Sequence, residues 1–592
     1  LEYSCFAKQS LYIATCLSLP VYTHTCHMLH FQQKALATRC PGTRAGRRSA
    51  IAVKCKAAVA DAKPTQPRSP LTGEARSHET DVVVVGSGIG GLCCAGMLAK
   101  YGLKVTVVES HSIPGGAAHS WVRDGFHFES GPSLFSGLAS QGKEANPLSH
   151  VLSALGVQLD LVRYDSWNVV VPEGNFLTRI GNDNFSEVLS KIRGPAAVAE
   201  WTRLQQVMRP LARAAALMPP AAFRYDPGVL VTAIGRYLPA LLAAGGDAAR
   251  LSGPFSSVLD GSGVSDPFIR NWLDLLAFLL SGLPADGTIA AEMAYMFNEW
   301  YRPNCFLEFP RGGAQAVVNG LVDGLQRHGG RLLLSSHVER VLLDARGRAT
   351  GVALRGGGTV KARKAVVSNA SSWDTLKLLP PERVPPAWRS GLSSTPACPS
   401  FMHLHLGFDA AGLDPSLELH HIIVNSWQGG VTAPQNVVLI SIPSVKDPSM
   451  APAGHHCLHA YLPATEPYEL WKGLDRRSPE YKALKEERSQ VLWEGIEKVI
   501  PDIRSRTRLS LLGTPLTHER FLRRHRGTYG PAIQAGKGLF PGPGTPIPGL
   551  YCCGDSTFPG IGVPAVAASG AIAANSLVPV WQHWALLDEI GV

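Results

Sequence analysis

TDVVVVGSGIGGLCCAGMLAKYGLKVTVVE, residues 80–109, is the stretch of sequence that decides the fold. It begins with an unbroken run of valines, which is typical of a strand buried in a parallel sheet. A glycine-rich turn at 86–91 leads into a helix-like segment at 92–101, and a second short run of β-branched residues ends on Glu109. The order strand, glycine turn, helix and strand predicts a βαβ unit.

The glycines of this turn have the spacing of a dinucleotide-binding fingerprint. Gly86 allows the tight turn, Gly88 lets a pyrophosphate approach the backbone, and Gly91 lets the helix pack closely on the strand. The helix N-terminus favours an anion, and Glu109 is placed to bind a ribose hydroxyl. A glycine-rich turn of an ordinary α/β domain is the alternative. Strand, glycines, helix and acid all fit the fingerprint, so we predict a bound dinucleotide.

Composition and charge restrict the possible classes of protein. The chain has 592 residues, 45% of them hydrophobic, and 12 Trp, 19 Phe and 14 Tyr. Large cores are therefore possible, and a disordered or small disulfide-stapled protein is excluded. The net charge is +10, but residues 1–78 carry +8 of it, with eleven Lys or Arg and three acids. The remainder is nearly neutral, so no nucleic-acid partner is predicted.

The basic, acid-poor segment at the start of the chain is typical of an organelle transit peptide. We therefore assign residues 1–79 to a disordered targeting segment that is no part of the fold. Residues 9–33 lack Lys, Arg, Asp and Glu and offer the alternative of a secretory signal. Pro20 and several histidines interrupt that run, and the basic residues follow it, so we favour import into an organelle.

Cysteine and histidine positions do not support a metal site. No C-x-x-C occurs in the chain, which argues against a zinc ribbon and a dithiol redox centre. His403 and His405 project from one face of a predicted strand, and His420 and His421 lie nearby in sequence. Without an acid or cysteine at ligand spacing, we interpret them as satisfied or solvent-facing sheet histidines and predict no metal.

Two apolar segments raise the question of a membrane. Residues 208–242 are mostly apolar and contain four arginines and one aspartate, but five prolines prevent a long helix. Insertion into one leaflet and a helical cap packed on the body are both open interpretations. Residues 556–587 carry no charge, but Pro559 and Pro564 break their first third. We therefore predict a peripheral membrane contact and no spanning segment. The four arginines are Arg209, Arg213, Arg224 and Arg236.

The rest of the chain predicts two kinds of sheet. Residues 311–370 alternate between a helix at 314–327 and strands near 331–335, 338–344, 351–354 and 365–368. Between 399 and 462, strand-like runs at 401–408, 420–424, 437–442 and 457–462 predict a second, largely antiparallel sheet inserted into the first domain. Residues from about 150 to 300 appear helical and irregular.

The identity of the cofactor is inferred from two motifs that the sequence lacks. Only one G-x-G-x-x-G follows a predicted strand, and no dithiol motif is present. Enzymes that pass hydride from a bound nicotinamide to a flavin usually carry two such units. A single fingerprint therefore indicates FAD that does the chemistry itself.

Several further blocks carry a family resemblance. The extended motif includes Ile113-Pro114-Gly115-Gly116, and the C-terminal blocks are 526–531, 549–556 and 558–560. Together with 368–370 they resemble the flavin amine oxidase and phytoene desaturase superfamily, and within it the plant and cyanobacterial carotenoid cis-trans isomerases and their plastid isomerase-like sister group. Where those isomerases carry an acid in the helix at 271–280, this chain has Leu275 or Leu276.

The resemblance implies a fold and a cofactor site. The fold class is α/β: a Rossmann-type FAD-binding domain with an inserted α+β substrate domain. The FAD-binding parts are 80–145, 301–375 and 511–592, with a helical substrate and membrane-contact region at 146–300 and a substrate-domain sheet at 376–510. The expected cofactor-binding residues are Gly86, Gly88, Gly91, Glu109, Gly115, Gly116, Val338, Gly554, Asp555, Gly562 and Val563.

The resemblance also implies a function. We expect a plastid enzyme, peripheral to a membrane, in which reduced FAD isomerises a long carotenoid polyene without net redox change. A desaturase or saturase of a carotenoid, retinoid or other prenyl lipid is the alternative enzyme, and a non-catalytic carotenoid carrier is the alternative from another class. No acid–base residue stands out, so the catalytic residues stay unknown. The predicted tunnel lining, with plain hydrophobic core as the alternative, is Leu276, Phe278, Leu279, Ile289, Met293, Met296 and Phe297.

Overall fold

A computed structural model describes residues 77–239, 242 and 250–592. Its strands are β1 (His78–Val85), β2 (Val105–Val108), β3 (Ser120–Arg123), β4 (Phe126–Glu129), β5 (Leu161–Tyr164), β6 (Ser166–Val171), β7 (Gly174–Arg179), β8 (Leu307–Pro310), β9 (Arg331–Leu333), β10 (Val338–Leu343), β11 (Ala349–Leu354), β12 (Thr359–Ser368), β13 (Ser400–Asp409), β14 (His420–Val424), β15 (Val437–Ser441), β16 (His455–Glu466), β17 (Thr507–Gly513) and β18 (Leu550–Cys552).

The α-helices connect these strands and cover the two large sheets. They are α1 (Ile89–Lys100), α2 (Pro147–Ala154), α3 (Asn184–Ile192), α4 (Pro195–Ala216), α5 (Gly228–Thr232), α6 (Phe255–Gly261), α7 (Pro267–Ser281), α8 (Ala290–Trp300), α9 (Ala314–Arg327), α10 (Ser372–Lys377), α11 (Pro386–Ser394), α12 (Pro479–Glu497), α13 (Ile503–Arg506), α14 (Pro515–Leu522), α15 (Val563–Asn575) and α16 (Val580–Glu589).

The first sheet contains the predicted βαβ unit. Its strand order is β10-β11-β12-β1-β2-β9, and β18 also pairs with β12. β1 lies between β12 and β2 and is parallel to both. Val82, Val83 and Val84 are fully buried, as expected of a strand covered on both faces. The α/β fold class is confirmed, and the carboxyl ends of β1, β2 and β12 meet at one edge of this sheet.

The second sheet has the order β17-β13-β16-β15-β14-β6-β7. Its pairs are antiparallel except for β14 with β6, which run parallel. Each of the four strands predicted between 399 and 462 is present, and β16 extends further than predicted, from His455 to Glu466. The inserted sheet is therefore confirmed, although its strands come from more of the chain than the pattern indicated.

The region at 146–300 is not helical throughout, which corrects our expectation. It contains β5, β6 and β7, and the last two strands form one edge of the second sheet. In β6, Trp167, Val169 and Val171 are buried and alternate with Asn168 and Val170, which are partly exposed. This two-residue period is the signature of a half-buried strand. From 184 to 300 the region is helical in its described residues.

Two predicted boundaries cut through strands. The structure begins at residue 77, so the predicted targeting segment lies outside the described residues except for 77–79. His78 and Glu79 already belong to β1, where they pair with Val360 and Lys361 of β12. At the other boundary, β17 continues to Gly513 and pairs with β13, so the second sheet ends beyond residue 510.

No helix among the described residues is long and apolar enough to cross a membrane. The uncharged stretch 556–587 forms α15 and part of α16, which are separate helices. α15 is rich in Ala and packs directly on α1: a Cβ on its one glycine, Gly570, would lie 2.3 Å from the carbonyl oxygen of Gly90. The close contact of these two helices brings the C-terminal part of the chain against the glycine turn.

Candidate functional site

The glycine turn and Glu109 form one hydrogen-bonded unit. Gly86 has φ +95°, a conformation that L side chains rarely adopt, so glycine is required there. The backbone amide and hydroxyl of Ser87 donate to Oε2 of Glu109 at 2.8 and 2.7 Å, and the amide of His111 donates to Oε1 at 2.7 Å. The predicted ribose-binding acid therefore lies directly beside the turn that it follows by 22 residues in sequence.

The second glycine pair lies against the first turn. Gly115 donates its amide to the carbonyl of Ser87 at 3.0 Å. A Cβ on Gly116 would lie 3.0 Å from the Cα of Gly88. A side chain at Gly116 would separate the two loops, so the close approach needs glycine there. The structure brings Gly86, Gly88, Gly91, Gly115 and Gly116 together, as a dinucleotide cradle requires.

Val338, to which the resemblance assigns adenine binding, lies near Glu109. It is the first residue of β10 and is buried. The loop before β10 contacts Glu109: the amide of Ser336 donates to the backbone carbonyl of Glu109 at 2.7 Å. The backbone of this loop is thus beside the predicted ribose-binding acid.

Asn369 connects the first part of the site to the last, and sequence reasoning gave it no role. It follows β12, and its amide donates to the carbonyl of Val85 at 2.9 Å. A Cβ on Gly88 would lie 2.9 Å from Asn369 Nδ2, and one on Gly554 would lie 2.6 Å from Asn369 Oδ1. The side chain of Asn369 therefore occupies the space between the glycine turn and Gly554.

Asp555 is held by an arginine that sequence reasoning also missed. The guanidinium of Arg524 forms an ion pair with Oδ2 of Asp555. The same guanidinium donates to the carbonyls of Thr528 at 2.5 Å and Tyr529 at 2.8 Å. Gly562, with φ +101°, precedes α15, and Val563 is the first residue of that helix. A Cβ on Gly530 would lie 2.4 Å from the side chain of Ile561 and 3.6 Å from the guanidinium of Arg524, so the Asp555–Arg524 pair lies near the segment that leads into α15.

From four titratable side chains we infer an interior recess next to this C-terminal motif. Burial raises the pKa of Glu292 to about 8 and lowers that of His518 to about 3. Burial also raises the pKa values of Tyr461 and Tyr529. All four side chains nevertheless keep part of their accessible surface. Deep position combined with remaining accessibility places them on the wall of an internal space, which we call the recess.

Ring contacts connect the members of the recess. The ring of Phe401 lies 4.9 Å from that of His518, 5.6 Å from that of Tyr529 and 6.2 Å from that of Tyr461, between centroids. The hydroxyl of Tyr529 donates to the carbonyls of Leu279 and Leu280 at 3.2 and 3.3 Å. The recess therefore lies between α7 and α8 on one side and the second sheet on the other.

The histidines of the second sheet are buried and bonded to each other. Nδ1 of His403 lies 2.9 Å from Nε2 of His459, and its Nε2 lies 3.1 Å from Nδ1 of His518. His405 stacks on His459 at 4.3 Å and bonds to the carbonyl of Glu129. Burial lowers the pKa values of these rings, so they are neutral near pH 7. Among the described residues, no group of His, Cys, Asp or Glu is arranged to hold a metal.

Most of the predicted tunnel lining is closely packed core. Leu276, Phe278, Met293, Met296 and Phe297 are 5% exposed or less and belong to one large hydrophobic cluster. Only Leu279 and Ile289 of the seven are partly exposed. The alternative interpretation therefore holds for five of the residues, because periodicity alone does not distinguish a core from a cavity wall.

The helix α7 carries no acid that reaches the recess at the resembled position. Leu275 and Leu276 are buried. Asp274 accepts a hydrogen bond from the amide of Ala285 at 2.9 Å, and burial raises its pKa. It lines a separate shallow pocket with Arg270 and Asp286. The acid of the recess, Glu292, comes instead from the next helix.

Comparison with known proteins identifies the family to which a chain with this fold and site belongs. Residues 89–578 match the model of the flavin-containing amine oxidoreductase family. The chain is 32% identical over 520 residues to the chloroplastic prolycopene isomerase of Daucus carota, covering 85% of this chain and 80% of that protein. It is 27% identical over 556 residues to the all-trans-retinol 13,14-reductase of Danio rerio, covering 85% and 86%.

A solved structure adds evidence on the fold alone. The crystal structure of an oxidoreductase from Methanosarcina mazei superimposes with a TM-score of 0.54 at 18% identity, covering 83% of this chain and 99% of that one. The family match, the glycine cradle and the C-terminal motif agree with one another. The chain belongs to the flavin-containing amine oxidoreductase family and is an FAD-dependent enzyme of the oxidoreductase class.

Proposed function

We propose that this protein is an FAD-dependent carotenoid cis-trans isomerase-like enzyme of the plastid. One observation carries the proposal: the similarity to prolycopene isomerases runs along 85% of the chain. The recess supports it, because partly buried apolar side chains border it and a conjugated hydrocarbon has no polar group to bind. Leu279 and Leu280 are such side chains, since their carbonyls accept hydrogen bonds from Tyr529. Leu511 and Ala532 are partly buried and pack against the same large hydrophobic cluster.

The residues brought together at the sheet edge would hold FAD. The backbone at Gly88 and the amides at the start of α1 would bind the pyrophosphate, Glu109 the ribose and the backbone of Val338 the adenine. Gly115, Gly116 and Gly554 would admit the chain of the cofactor. Asp555, oriented by Arg524, would accept a hydrogen bond from a ribityl hydroxyl. The amides of Gly562 and Val563 would face the carbonyl edge of the flavin.

Bound in its reduced form, FAD would supply electron density that lowers the order of one double bond and permits rotation. The chain's own contribution is to exclude water from the recess and to hold the polyene in a fixed position. Both sides of the recess are suited to this, since α7 and α8 and the second sheet present mainly apolar and aromatic groups.

Product analysis tests this function. The FAD-loaded protein is reduced with light under nitrogen and incubated with a poly-cis carotenoid such as prolycopene. We expect a change in retention time and absorption spectrum at unchanged mass, and no change with oxidised FAD. A polyene that is recovered with its geometry unchanged would contradict the proposal.

A saturase is the second candidate, favoured by the similarity to all-trans-retinol 13,14-reductase over 86% of that protein. Mass separates the two reactions: saturation adds a pair of hydrogen atoms, desaturation removes a pair, and isomerisation leaves the mass unchanged. All-trans-retinol incubated in the same way therefore tests the alternative directly.

We further propose that the segment after α4 docks on a membrane. Leu230, Val231, Ile234 and Leu238 are apolar and largely exposed, with Ile234 at 62%. Trp581 on α16 is 75% exposed, and the same helix bonds to this segment through Trp584, whose indole donates to Thr232 at 3.0 Å. Apolar side chains with an exposed tryptophan suit the interface of a bilayer.

Two of the four arginines expected to face that membrane do not. Arg224 is 3% exposed, pairs with Asp226 and donates to the carbonyl of Val578. Arg236 pairs with Asp588. Their charges are compensated within the protein, whereas Arg209 and Arg213 are exposed. Apolar insertion therefore dominates the proposed contact, and we expect its binding to depend only weakly on salt.

Liposome sedimentation tests this contact. Ile234→Ser and Trp581→Ser each remove a side chain whose burial is worth about 2 kcal/mol, so each should weaken binding roughly tenfold or more. Val122→Ser is the matched control, because Val122 is 58% exposed on β3, an element outside the segment. Equal binding by all three variants would show that the segment does not contact lipid.

Import into the plastid is tested separately. A fluorescent fusion of residues 1–78 should enter plastids, as expected from its net charge of +8 and from the chloroplastic relatives. Fluorescence in the cytosol or the secretory pathway would contradict this part of the proposal.

A further inference from the structure

Three histidines form a hydrogen-bonded chain between the second sheet and α14. Nδ1 of His403 on β13 lies 2.9 Å from Nε2 of His459 on β16, and Nε2 of His403 lies 3.1 Å from Nδ1 of His518 on α14. In both pairs the ring centroids are 5.2 Å apart, close to the nitrogen–nitrogen distance plus two ring radii. The rings therefore meet edge to edge, as N–H···N hydrogen bonds require.

Both ends of this chain are open. Nδ1 of His459 is buried and has no hydrogen-bond partner among the described residues. His518 keeps part of its accessible surface, and its Nε2 forms no hydrogen bond to a described residue. A network with only a structural role normally satisfies its buried polar atoms, so the unpaired end at His459 needs an explanation.

Only two arrangements of protons fit the chain. Burial lowers the pKa values of all three rings, so each carries a single ring proton near pH 7. His403 uses both of its nitrogens and therefore fixes the tautomer of its two neighbours. The three protons are all on Nδ1 or all on Nε2. The first arrangement makes Nε2 of His518 an acceptor and the second makes it a donor, so the chain passes a proton by switching between them.

Ring contacts connect the chain to the glycine cradle. His405 stacks on His459 at 4.3 Å, and the ring of Trp121 lies 4.9 Å from that of His405 and 5.7 Å from that of His119. Nδ1 of His119 lies 2.7 Å from the carbonyl oxygen of Gly116. The histidines are therefore packed against the residues that would hold FAD.

The end at His518 contacts the residues that border the recess. The ring of Phe401 lies 4.9 Å from that of His518 and 5.6 Å from that of Tyr529. Tyr529 donates to the carbonyl of Leu280, which lies 3.8 Å from where a Cβ of Gly562 would be. Contacts thus connect His518 to the start of α15, the helix N-terminus that would face the flavin.

Polar groups continue beyond the other end of the chain. Ser441 on β15 is directly opposite His459, so their Cβ atoms lie on one face of the sheet about 5 Å apart. Oγ of Ser441 lies 3.0 Å from Nδ1 of His420, and Nε2 of His420 lies 2.9 Å from the hydroxyl of Tyr164. Lys446, which is partly exposed, lies over the ring of Tyr164 at 5.8 Å. This row of polar groups leads from His459 toward the surface.

We propose that His518, His403 and His459 form a proton relay that carries the proton which bound FAD takes up on reduction and gives back on oxidation. This inference rests on the proposed function, which requires reduced FAD in a recess from which water is excluded. Reduction by an external two-electron donor takes up one proton. His518 releases the proton on its Nε2 to the recess, His403 passes its own from Nε2 to Nδ1 of His518, and His459 passes its own from Nε2 to Nδ1 of His403. Nδ1 of His459 then takes a proton from water. The donor is oxidised, FAD is reduced and the histidines are neither; on oxidation each transfer runs in reverse.

The experiment follows the proton during oxidation. The FAD-loaded full chain is reduced with dithionite, desalted under nitrogen and mixed with ferricyanide, which accepts electrons alone. Flavin absorbance and a pH-indicator dye are recorded in the same sample. We expect wild type to release its proton as fast as the flavin is oxidised, and to do so more slowly in D₂O. In His403→Gln and His518→Gln the release should slow at least about 100-fold, because an amide does not pass a proton on.

The matched control is His421→Gln, which alters another buried histidine of the second sheet. His421 is 3% exposed and bonds to the carbonyl of Glu418, outside the chain. This variant should release its proton at the wild-type rate. Circular dichroism and FAD absorbance are recorded for every variant, so that misfolding and loss of the cofactor are recognised. Because His518 is partly exposed, its variant should fold even where His403→Gln does not.

The oxidation experiment uses no polyene, so the relay and the proposed function fail separately. A protein that releases its proton through the histidines but leaves prolycopene unchanged contradicts the proposed function alone. Wild-type release in the His403→Gln and His518→Gln variants, or equal release by wild type in H₂O and D₂O, overturns the relay alone. Nitrogen NMR of the histidine-labelled protein adds a test without a variant. The three rings should share one tautomer, and a ring that differs from the other two would also overturn the relay.

Discussion

Gly88→Ala should separate cofactor binding from folding. Gly88 has φ −60° and ψ 164°, which alanine adopts without strain. Its new Cβ would lie 2.9 Å from Nδ2 of Asn369. That atom ends a side chain that can turn aside, so we expect the apoprotein to lose less than about 1 kcal/mol of stability. The same methyl group would project into the space where the backbone must approach the pyrophosphate.

The expected loss of affinity follows from the hydrogen bonds to the phosphate. Displacing the pyrophosphate from one backbone amide removes a hydrogen bond to a charged group, which is worth roughly 1.5–3 kcal/mol. FAD should therefore bind about 10- to 100-fold more weakly. Quenching of flavin fluorescence during titration of the apoprotein measures the affinity, and urea unfolding of the apoprotein measures the stability.

Gly91→Ala is the comparison that makes the result interpretable. Its Cβ would lie 2.3 Å from the carbonyl oxygen of Gly86, a backbone atom that cannot turn aside. We expect this variant to lose about 3 kcal/mol or more of apoprotein stability, because it forces the helix away from the strand. Wild-type FAD affinity in Gly88→Ala, or equal destabilisation of the two variants, would refute the assignment of the turn.

Three further perturbations test other parts of the structure. Gly570→Ala should lower the stability of the apoprotein to urea by about 3 kcal/mol, since its Cβ would lie 2.3 Å from the carbonyl of Gly90, whereas Gly391→Ala, with no atom within 4 Å, should be neutral. Arg524→Gln should weaken FAD binding about tenfold in a fluorescence titration, because it frees Asp555 to move. Glu292→Gln should stabilise the apoprotein by about 2 kcal/mol at pH 8 and by little at pH 5. The pKa of this carboxyl is raised from 4.5 to about 8 in the folded protein. Between these two pH values the unfolded chain loses the proton while the folded carboxyl keeps it, so the stability of wild type falls as pH rises. Melting temperatures at the two pH values measure this difference.

Local sequence was sufficient for the first half of the cofactor site. Strand, turn, helix and Glu109 lie within 32 residues of His78, and each has a short-range signature. The second sheet was predictable for a related reason, since β13 to β16 are each rich in apolar residues and are separated by turns. Which strands pair with each other was not predictable from local sequence. β6 pairs with β14 across some 250 residues of chain, and no local pattern specifies that contact.

The residues that sequence reasoning missed depend on such distant contacts. Asn369 is one polar residue after a strand, and only the approach of Gly554 shows that it connects two parts of the site. Arg224 is a basic residue in an apolar segment, a pattern that suggests contact with a membrane. In the structure it pairs with Asp226 and donates to the carbonyl of Val578, so its charge is compensated within the protein. Glu292 has no sequence signal at all, because its chemistry depends on what surrounds it.

The order of elements along the chain explains why the recess lies where it does. The glycine turn and Asp555 belong to opposite ends of the described chain, and α15 packs on α1 so closely that Gly570 and Gly90 leave no room for a side chain. The chain between the glycine turn and Asp555 must therefore leave the FAD-binding sheet and return to the same edge. The loop at 524–530 connects that edge with α7, because Arg524 pairs with Asp555 and Tyr529 donates to the carbonyl of Leu279. A substrate in the recess would be next to the flavin as a consequence of this topology.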